Sequence, residues 1–115
     1  MSKFVSIGKL KIGDGQPLAV IAGPCVIESD KHAMKMAERL STLAGELGIP
    51  YIFKASYDKA NRTALGSYRG PGLEDGLRIL ARIKKELGVP VLTDVHSVEE
   101  VQAALDEYFR ANPPK

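Results

Sequence analysis

Two stretches of the chain repeat the same order of features 40 residues apart, at residues 46–54 and 86–94. Each has a Glu-Leu pair, a glycine, a proline and then a short apolar run. A glycine of this kind ends a helix in the left-handed conformation, and proline cannot continue the helix. Nearly continuous apolar runs are typical of strands buried in a parallel sheet. Residues 18–22 are a third such run, so the sequence predicts three buried strands.

The segments that follow these strands have helical periodicity, with apolar residues every three or four positions. The three apolar faces are Ala33, Met36, Ala37, Leu40, Ala44 and Leu47; Leu73, Leu77, Leu80, Ile83 and Leu87; and Val98, Val101, Leu105 and Tyr108. Ser29 or Asp30 is expected to cap the first helix, and Ser97 with Glu100 has the pattern of a capping box. Three strand–helix pairs in succession predict parallel strands joined by right-handed crossovers.

The residues before the first parallel strand predict a small hairpin, because apolar positions alternate on both sides of Gly8 and Lys9. We therefore divide the chain into an N-terminal hairpin and turn (1–17), three βα units (18–108) and a tail (109–115), which form one partial α/β domain. A closed (β/α)8 barrel takes about 250 residues, so this chain supplies less than half of one. A flavodoxin-like open sheet is the alternative, although it usually has five strands.

The composition of the chain mainly excludes certain classes of protein. The chain has 115 residues, of which 44% are hydrophobic and 26% charged, as in an ordinary globular domain. A net charge of +2 with 6% aromatic residues does not favour a nucleic-acid partner. No apolar run is long enough to cross a membrane, no secretory leader pattern opens the chain, and one cysteine cannot form an internal disulfide. We expect a cytoplasmic domain without a membrane partner.

Polar side chains follow all three predicted strands: Cys25, Lys54, and the pair Asp94 and His96. Because the carboxyl ends of parallel strands meet at one edge, the sequence predicts a site there. The alternative is that these polar residues simply face water. Cys25 by itself fits either a small buried residue or one metal ligand, and His96 is equally open. We interpret His32, on a predicted helix surface, as structural.

The basic excess of the chain is concentrated at residues 54–69, which carry four basic side chains and one acidic side chain. Lysine, asparagine, arginine and hydroxyl residues in close succession suit a phosphate or a carboxylate. Residues 70–72 then open a helix whose N-terminus also favours an anion. A solvated basic loop is the alternative. No Walker A or G-x-G-x-x-G pattern is present, so a nucleotide is not predicted.

Four segments together resemble 3-deoxy-D-manno-octulosonate 8-phosphate synthase, also called 2-dehydro-3-deoxyphosphooctonate aldolase. They are I-A-G-P-C-V-I-E-S at 21–29, F-K-A-S-Y-D-K-A-N-R at 53–62, S-Y-R-G-P-G-L-E at 67–74 and T-D-V-H at 93–96. The resemblance extends from about residue 5 to about residue 104. The sister family, 3-deoxy-D-arabino-heptulosonate 7-phosphate synthase, typically has a K-P-R-T-type motif in place of K-A-N-R. An enzyme like this sister family is an alternative.

The resemblance implies a homotetrameric (β/α)8-barrel transferase. It would condense phosphoenolpyruvate with D-arabinose 5-phosphate and water, releasing phosphate, in lipopolysaccharide biosynthesis. By this resemblance Lys54 and Lys59 contact phosphoenolpyruvate and the reacting carbons, and Asp94 lies near the sugar hydroxyls or the metal. The residues implied to hold arabinose 5-phosphate, chiefly through its phosphate, are Asn61, Arg62 and Thr63. Cys25 matches a ligand of one divalent metal ion in the metal-dependent class, where the metal-independent class has asparagine.

The length of the chain departs from the family. The family's other metal ligands (a histidine, a glutamate and an aspartate) and further phosphate-binding residues come from later strands, so we expect a truncated chain that is inactive alone. The alternative is a non-catalytic fragment that binds a phosphosugar or associates with itself. Without an opposite barrel wall, Val20, Ile52 and Leu92 are expected to lack packing partners, which predicts a marginally folded or self-associated chain.

Overall fold

The computed structural model describes residues 3–59 and 68–111. In chain order the elements are β1 (Phe4–Ile7), β2 (Leu10–Gly13), β3 (Val20–Ala22), α1 (Asp30–Leu47), β4 (Tyr51–Lys54), α2 (Leu73–Leu87), β5 (Val91–Leu92) and α3 (Val98–Ala111). The β1–β2 pair is an antiparallel hairpin, and β3, β4 and β5 form a parallel sheet in that order. The predicted α/β order is confirmed, and the described residues do not close a barrel. None of the helices described is long and apolar enough to cross a membrane.

The first two helices begin and end where the sequence predicts. Ser29 caps α1, because its Oγ accepts a hydrogen bond of 3.0 Å from the backbone N–H of His32. Gly48 and Gly88 follow α1 and α2 with φ angles of 68° and 70°, and their N–H groups bond back to helix carbonyls. A residue with a side chain adopts this left-handed conformation only at a cost, so glycine is favoured at both helix ends.

The two prolines after these glycines fix where each strand starts. The Pro50 carbonyl accepts a 2.9 Å hydrogen bond from Val20 N–H, and the Pro90 carbonyl accepts one of 2.9 Å from Phe53 N–H. Each proline therefore begins the ladder between its own strand and the preceding one. The Gly-x-Pro repeat thus serves two purposes, since it ends a helix and sets the register of the next strand.

One face of the sheet packs against the helices. Tyr51, Phe53 and Ala55 are buried on this face. Their partners in the core include Ala33 and Ala37 of α1 and Ile79, Leu80 and Ile83 of α2. Because side chains alternate along a strand, Ile52, Lys54 and Ser56 point to the opposite face.

The prediction that Val20 lies on the uncovered face is wrong. Val20 pairs with Tyr51, which packs toward the helices, and paired residues of neighbouring strands point to the same face. Ile21 pairs with Ile52 and takes the predicted place of Val20. Ile21 is 53% exposed and Leu92 is 44% exposed. Ile52 on the central strand is only 4% exposed, so the prediction that it lacks packing partners is also wrong. Among the described strand residues of this face, Ile21 and Leu92 on the two outer strands therefore present the exposed apolar surface.

The predicted helix faces are confirmed only in part. In α1 the burial of Ala33, Ala37 and Ala44 agrees with the prediction, but Leu47 is exposed. In α2 the buried positions are Gly76, Ile79, Leu80 and Ile83, while Leu73 and Leu77 are half-buried. The spacing of leucines alone therefore does not determine which positions of each helix are buried.

The third helix departs further from its prediction. Its start is confirmed, since Ser97 Oγ accepts a 3.2 Å hydrogen bond from Glu100 N–H. Its predicted apolar face is largely exposed, with Val98 82% exposed and Val101 and Leu105 also exposed. The side chain of Tyr108 lies outside the described residues. The reason is that β5 has two residues and lies at the edge of the sheet, so little sheet is present for α3 to cover.

A close contact between α2 and Tyr57 gives a test of this packing. A Cβ added at Gly76 would lie 2.1 Å from Tyr57 Cβ, whereas one added at Gly45 of α1 would meet no atom within 4 Å. We expect Gly45→Ala to raise the free energy of unfolding by about 0.5–1 kcal/mol, because alanine favours helices. Gly76→Ala should lower it by about 1–3 kcal/mol through overpacking. Urea unfolding measures both, and equal stabilisation by the two substitutions would contradict the observed contact.

The exposed Ile21 generates a second prediction. We expect the chain to self-associate with rising concentration, because Ile21 and Leu92 present apolar surface beside unpaired strand edges. Ile21→Lys should raise the dissociation constant about tenfold, the equivalent of one buried side chain. Leu47→Lys, at an exposed helix position, is the control and should leave association unchanged. Sedimentation over a concentration series decides, and a monomer throughout would show that this sheet needs no partner.

Candidate functional site

Four polar side chains meet at the carboxyl ends of β4 and β5: Lys54, Ser56, Asp94 and His96. We call them the carboxyl-end cluster. Lys54 pairs with Leu92 across the parallel ladder. Ser56 lies two residues after Lys54, and Asp94 lies two residues after Leu92. The strand period of two therefore places all these positions on the face turned away from the helices.

Asp94 is the centre of the cluster. Its Oδ1 accepts a hydrogen bond of 2.5 Å from Ser56 Oγ and lies 3.8 Å from Lys54 Nζ. Lys54 Nζ also donates to Ser56 Oγ at 3.4 Å. On the other side, His96 Nε2 lies 3.6 Å from Asp94 Oδ2 and donates to the Asp58 carbonyl at 2.7 Å. The predicted meeting of Lys54, Asp94 and His96 at one edge is what the structure contains.

The electrostatics of the cluster keep Asp94 ionised. Burial by itself acts to raise the pKa of the Asp94 carboxyl. Hydrogen bonds from Ser56 and from a backbone N–H, with the positive charges of Lys54 and Lys59, outweigh burial and hold this pKa below its ordinary value. The side chains of Lys54 and Asp94 are 32% and 41% exposed, so both are open to a dissolved ligand.

Two contacts join parts of residues 54–69, which we call the basic segment, beside the cluster. The Lys59 N–H donates a 2.7 Å hydrogen bond to the Arg69 carbonyl. The Arg69 guanidinium in turn donates to both carboxylate oxygens of Asp58, each at 3.0 Å. Arg69 is therefore neutralised by the one acidic side chain of the segment, and the basic excess predicted for it is carried by the other three basic residues.

Tyr57 holds the start of the same segment against the rest of the protein. It is almost fully buried, and its hydroxyl donates to Glu100 Oε1 of α3 at 2.5 Å. Its ring lies edge-on to His96, with centroids 5.8 Å apart, and its carbonyl accepts from Gly72 N–H at 3.0 Å. Burial raises the pKa of the Tyr57 hydroxyl above its ordinary value, and the bond to Glu100 adds to this.

Sequence reasoning did not identify Ser56, Tyr57 or Glu100 as part of the site. A signal for Ser56 does exist, because it follows Lys54 at the strand period of two and therefore shares its face. The contact between Tyr57 and Glu100 joins residues 43 positions apart. No local pattern in the sequence indicates such a pair.

Other predicted site residues are placed only in part. The Lys59 backbone lies at the base of the basic segment, and the positive charge of Lys59 acts on Asp94. Asn61, Arg62 and Thr63 lie outside the described residues, so their assignment stays a prediction. His32, in the first turn of α1, forms a contact of 3.1 Å with Glu28, which precedes the helix, and this agrees with a structural role.

Cys25 is exposed, so the alternative that it is a small buried residue is wrong. Its carbonyl accepts a 3.3 Å hydrogen bond from Ser56 N–H, which places it next to the cluster. Over residues 3–59 and 68–111 there is no group of three or more histidine, cysteine, aspartate and glutamate side chains that could hold a metal ion. A metal site takes three or four ligands, so the described side chains do not by themselves fit one. The divalent ion therefore stays a prediction, and no step is assigned to it.

A cleft of about 880 Å³ lies at the other end of the sheet. It separates the hairpin from the start of β4 and β5, and its lining includes Lys9, Pro50 and Pro90. None of the predicted site residues that the structure describes lines it. Lys54, Asp94 and His96 therefore lie at the carboxyl ends of the strands and not in this cleft.

A parallel sheet with polar side chains at the carboxyl ends of its strands is typical of α/β enzymes. Comparison with known families agrees with this class. Residues 3–109 match the DAHP synthetase I family, and the chain belongs to this family.

Curated relatives narrow the comparison. The chain is similar to the 2-dehydro-3-deoxyphosphooctonate aldolase of Geotalea uraniireducens (strain Rf4), with 57% identity over 106 residues. It is equally similar to the protein of that name from Pelobacter propionicus, and 55% identical to that of Geobacter sp. (strain M21). The resemblance inferred from the four sequence segments is therefore confirmed. Each match covers 92% of this chain and 39% of the relative, so the chain spans about two fifths of the relatives' length.

The Tyr57 anchor generates a prediction with a matched control. Tyr51 also donates its hydroxyl, but to the neutral Ala22 carbonyl at 2.8 Å. Tyr57→Phe removes a bond to a charged group and should lower the free energy of unfolding by about 1.5–3 kcal/mol. Tyr51→Phe should lower it by only about 0.5–1.5 kcal/mol. Urea unfolding at neutral pH compares them, and a smaller loss for Tyr57→Phe than for Tyr51→Phe would show that Glu100 does not stabilise this anchor.

Proposed function

We propose that this chain supplies anion-binding elements of a 3-deoxy-D-manno-octulosonate 8-phosphate synthase. This transferase condenses phosphoenolpyruvate with D-arabinose 5-phosphate and water, and releases phosphate, in lipopolysaccharide biosynthesis. The observation that carries the proposal is the contact of Lys54 with Asp94 at the ends of adjacent parallel strands. The similarity to curated aldolases of this name supports the choice of reaction.

The charges of the substrates explain why lysines are needed. Phosphoenolpyruvate carries a carboxylate and a phosphate, and arabinose 5-phosphate carries a second phosphate, so the two substrates repel each other. The ammonium groups of Lys54 and Lys59 would neutralise phosphoenolpyruvate and hold it where its carbon can reach the sugar aldehyde. Lys54 suits this role because its Nζ is already oriented by Ser56 and Asp94.

The sugar phosphate would be held by the segment that includes Asn61, Arg62 and Thr63. A guanidinium binds phosphate with two parallel hydrogen bonds, and the amide and hydroxyl add neutral donors. The bond between Lys59 and Arg69 supports this placement, because the segment leaves and rejoins the described chain beside the cluster. The ionised Asp94 carboxylate would accept hydrogen bonds from sugar hydroxyls.

The remaining assignments follow from the same family. We propose a cytoplasmic protein that acts on small molecules, forms a homotetramer, and has no nucleic-acid or membrane partner. One divalent metal ion at Cys25 would require ligands beyond the described residues. The exposed Ile21 and Leu92 favour a second candidate, in which the chain is a non-catalytic fragment that binds a phosphosugar or associates with itself.

Binding and turnover test the proposal separately. We expect the 115-residue chain to bind arabinose 5-phosphate weakly and in a salt-sensitive manner. Arg62→Ala should weaken this binding about tenfold or more, because a charged pair to the phosphate is lost. Arg39→Ala, at an exposed position of α1, is the matched control and should leave the affinity unchanged. Calorimetric titration provides these affinities.

Equal affinities for wild type and Arg62→Ala, or no binding by either, would contradict the proposed sugar-phosphate site. A phosphate-release assay with both substrates addresses the reaction. We expect no turnover by the isolated chain, because the family's other ligands and phosphate-binding residues are outside it. Measurable turnover would show that these 115 residues carry a complete site.

A further inference from the structure

Ser56 is the only polar residue among those described that is fully buried. A hydroxyl has one hydrogen to donate and two lone pairs, and burial without partners is unfavourable. The Ser56 Oγ makes both kinds of bond, since it donates to Asp94 Oδ1 at 2.5 Å and accepts from Lys54 Nζ at 3.4 Å. Its partners are the two residues that the proposed function assigns to catalysis.

The backbone of Ser56 is held as firmly as its side chain. Its N–H donates to the Cys25 carbonyl at 3.3 Å, and its carbonyl accepts from Ile27 N–H at 3.0 Å, which makes a parallel bridge beyond β3. On the other side, Ala55 N–H donates to the Leu92 carbonyl at 3.3 Å. Ser56 therefore lies where the ends of β3, β4 and β5 are joined, and its Oγ has little freedom to move.

Lys54 and Asp94, by contrast, are partly exposed side chains, one at the end of β4 and the other two residues beyond β5. An exposed ion pair at 3.8 Å fixes two flexible side chains poorly. The buried hydroxyl between them supplies a rigid point to which both are bonded. The Ser56 hydroxyl donates its hydrogen to Asp94 Oδ1. The other carboxylate oxygen, Oδ2, faces His96 and remains within reach of a ligand.

We propose that Ser56 is a positioning residue of the site: its buried hydroxyl fixes the Asp94 carboxylate and the Lys54 ammonium relative to each other. One Asp94 oxygen and two of the three Lys54 N–H donors are then left for substrate. This inference rests on the proposed function, because that function assigns Lys54 and Asp94 their roles. Ser56 itself touches neither substrate nor reacting atoms in this proposal.

The substitution Ser56→Ala tests the proposal, with Ser29→Ala as the control. Both remove one serine hydroxyl, but the Ser29 hydroxyl caps α1, where it accepts from the N–H of His32 and not from a group of the cluster. The readout is the titration midpoint of the Asp94 side-chain carboxyl, followed by carbon-13 NMR. We expect Ser56→Ala to raise the midpoint by about half a pH unit or more, since a hydrogen bond to the charged form is lost. Ser29→Ala should lower stability without moving the midpoint.

The affinity for phosphoenolpyruvate is the second readout. We expect it to fall about tenfold in Ser56→Ala and to stay within about twofold of wild type in Ser29→Ala. Ser56→Cys keeps a side chain of similar size with a weaker donor, so it should give intermediate values and serves if the alanine variant fails to fold.

An unchanged Asp94 midpoint, or an unchanged affinity for phosphoenolpyruvate in Ser56→Ala, would overturn the role of Ser56. Changes in the Asp94 midpoint and in the affinity that are as large in Ser29→Ala as in Ser56→Ala would overturn it as well. If the wild-type chain does not bind phosphoenolpyruvate, the proposed function fails instead. In that case the titration midpoint of the Asp94 carboxyl alone shows whether the Ser56 hydroxyl stabilises its ionised form.

Discussion

The parallel register of β4 between its two neighbours is the constraint on which the rest of the structure depends. It turns Tyr51 and Phe53 toward the helices and Lys54 and Ser56 toward the other face. A shift of one residue would exchange the two sets, because the side-chain period of a strand is two. Lys54 would then be buried in the apolar core, at a large cost in free energy, and the carboxyl-end cluster would be lost. The core and the site are therefore fixed by the same hydrogen bonds.

The site is also supported by contacts that reach well outside it. Tyr57 lies between α2 and α3, packed against Gly76 on one side and bonded to Glu100 on the other. Its neighbours Asp58 and Lys59 are bonded to Arg69 at the far end of the basic segment. A substitution in α2 or α3 can thus displace the base of this segment, although it changes no residue that would touch a ligand.

Much of the fold could be predicted from the sequence because its signals are local. Ser29 and Ser97 cap helices through residues three positions away, and Gly48 and Gly88 end helices in the conformation that glycine favours. The apolar run 18–22, which contains β3, is different, because every residue in it is apolar and none marks which face is turned to water. For this reason the sequence indicated Val20 where the structure places Ile21.

The site was predictable to a similar extent and for a similar reason. Lys54, Asp94 and His96 follow directly after strands, and parallel strands end at one edge. Ser56 was overlooked because a small hydroxyl residue carries no charge to mark it. Tyr57 and Glu100 are joined only by the packing of α3, which residue spacing does not specify. The sequence therefore shows which groups reach the edge, and the fold shows how they are held there.

The most direct measurement is a chemical-shift titration of the nitrogen-15-labelled chain with phosphoenolpyruvate. If the carboxyl ends of the strands bind the anion, the largest amide shifts will occur at residues 54–59 and 93–96. Lys9 and Lys84, which line the cleft at the other end of the sheet, will remain unchanged. Shifts confined to that cleft, with none at the carboxyl-end cluster, would contradict the account.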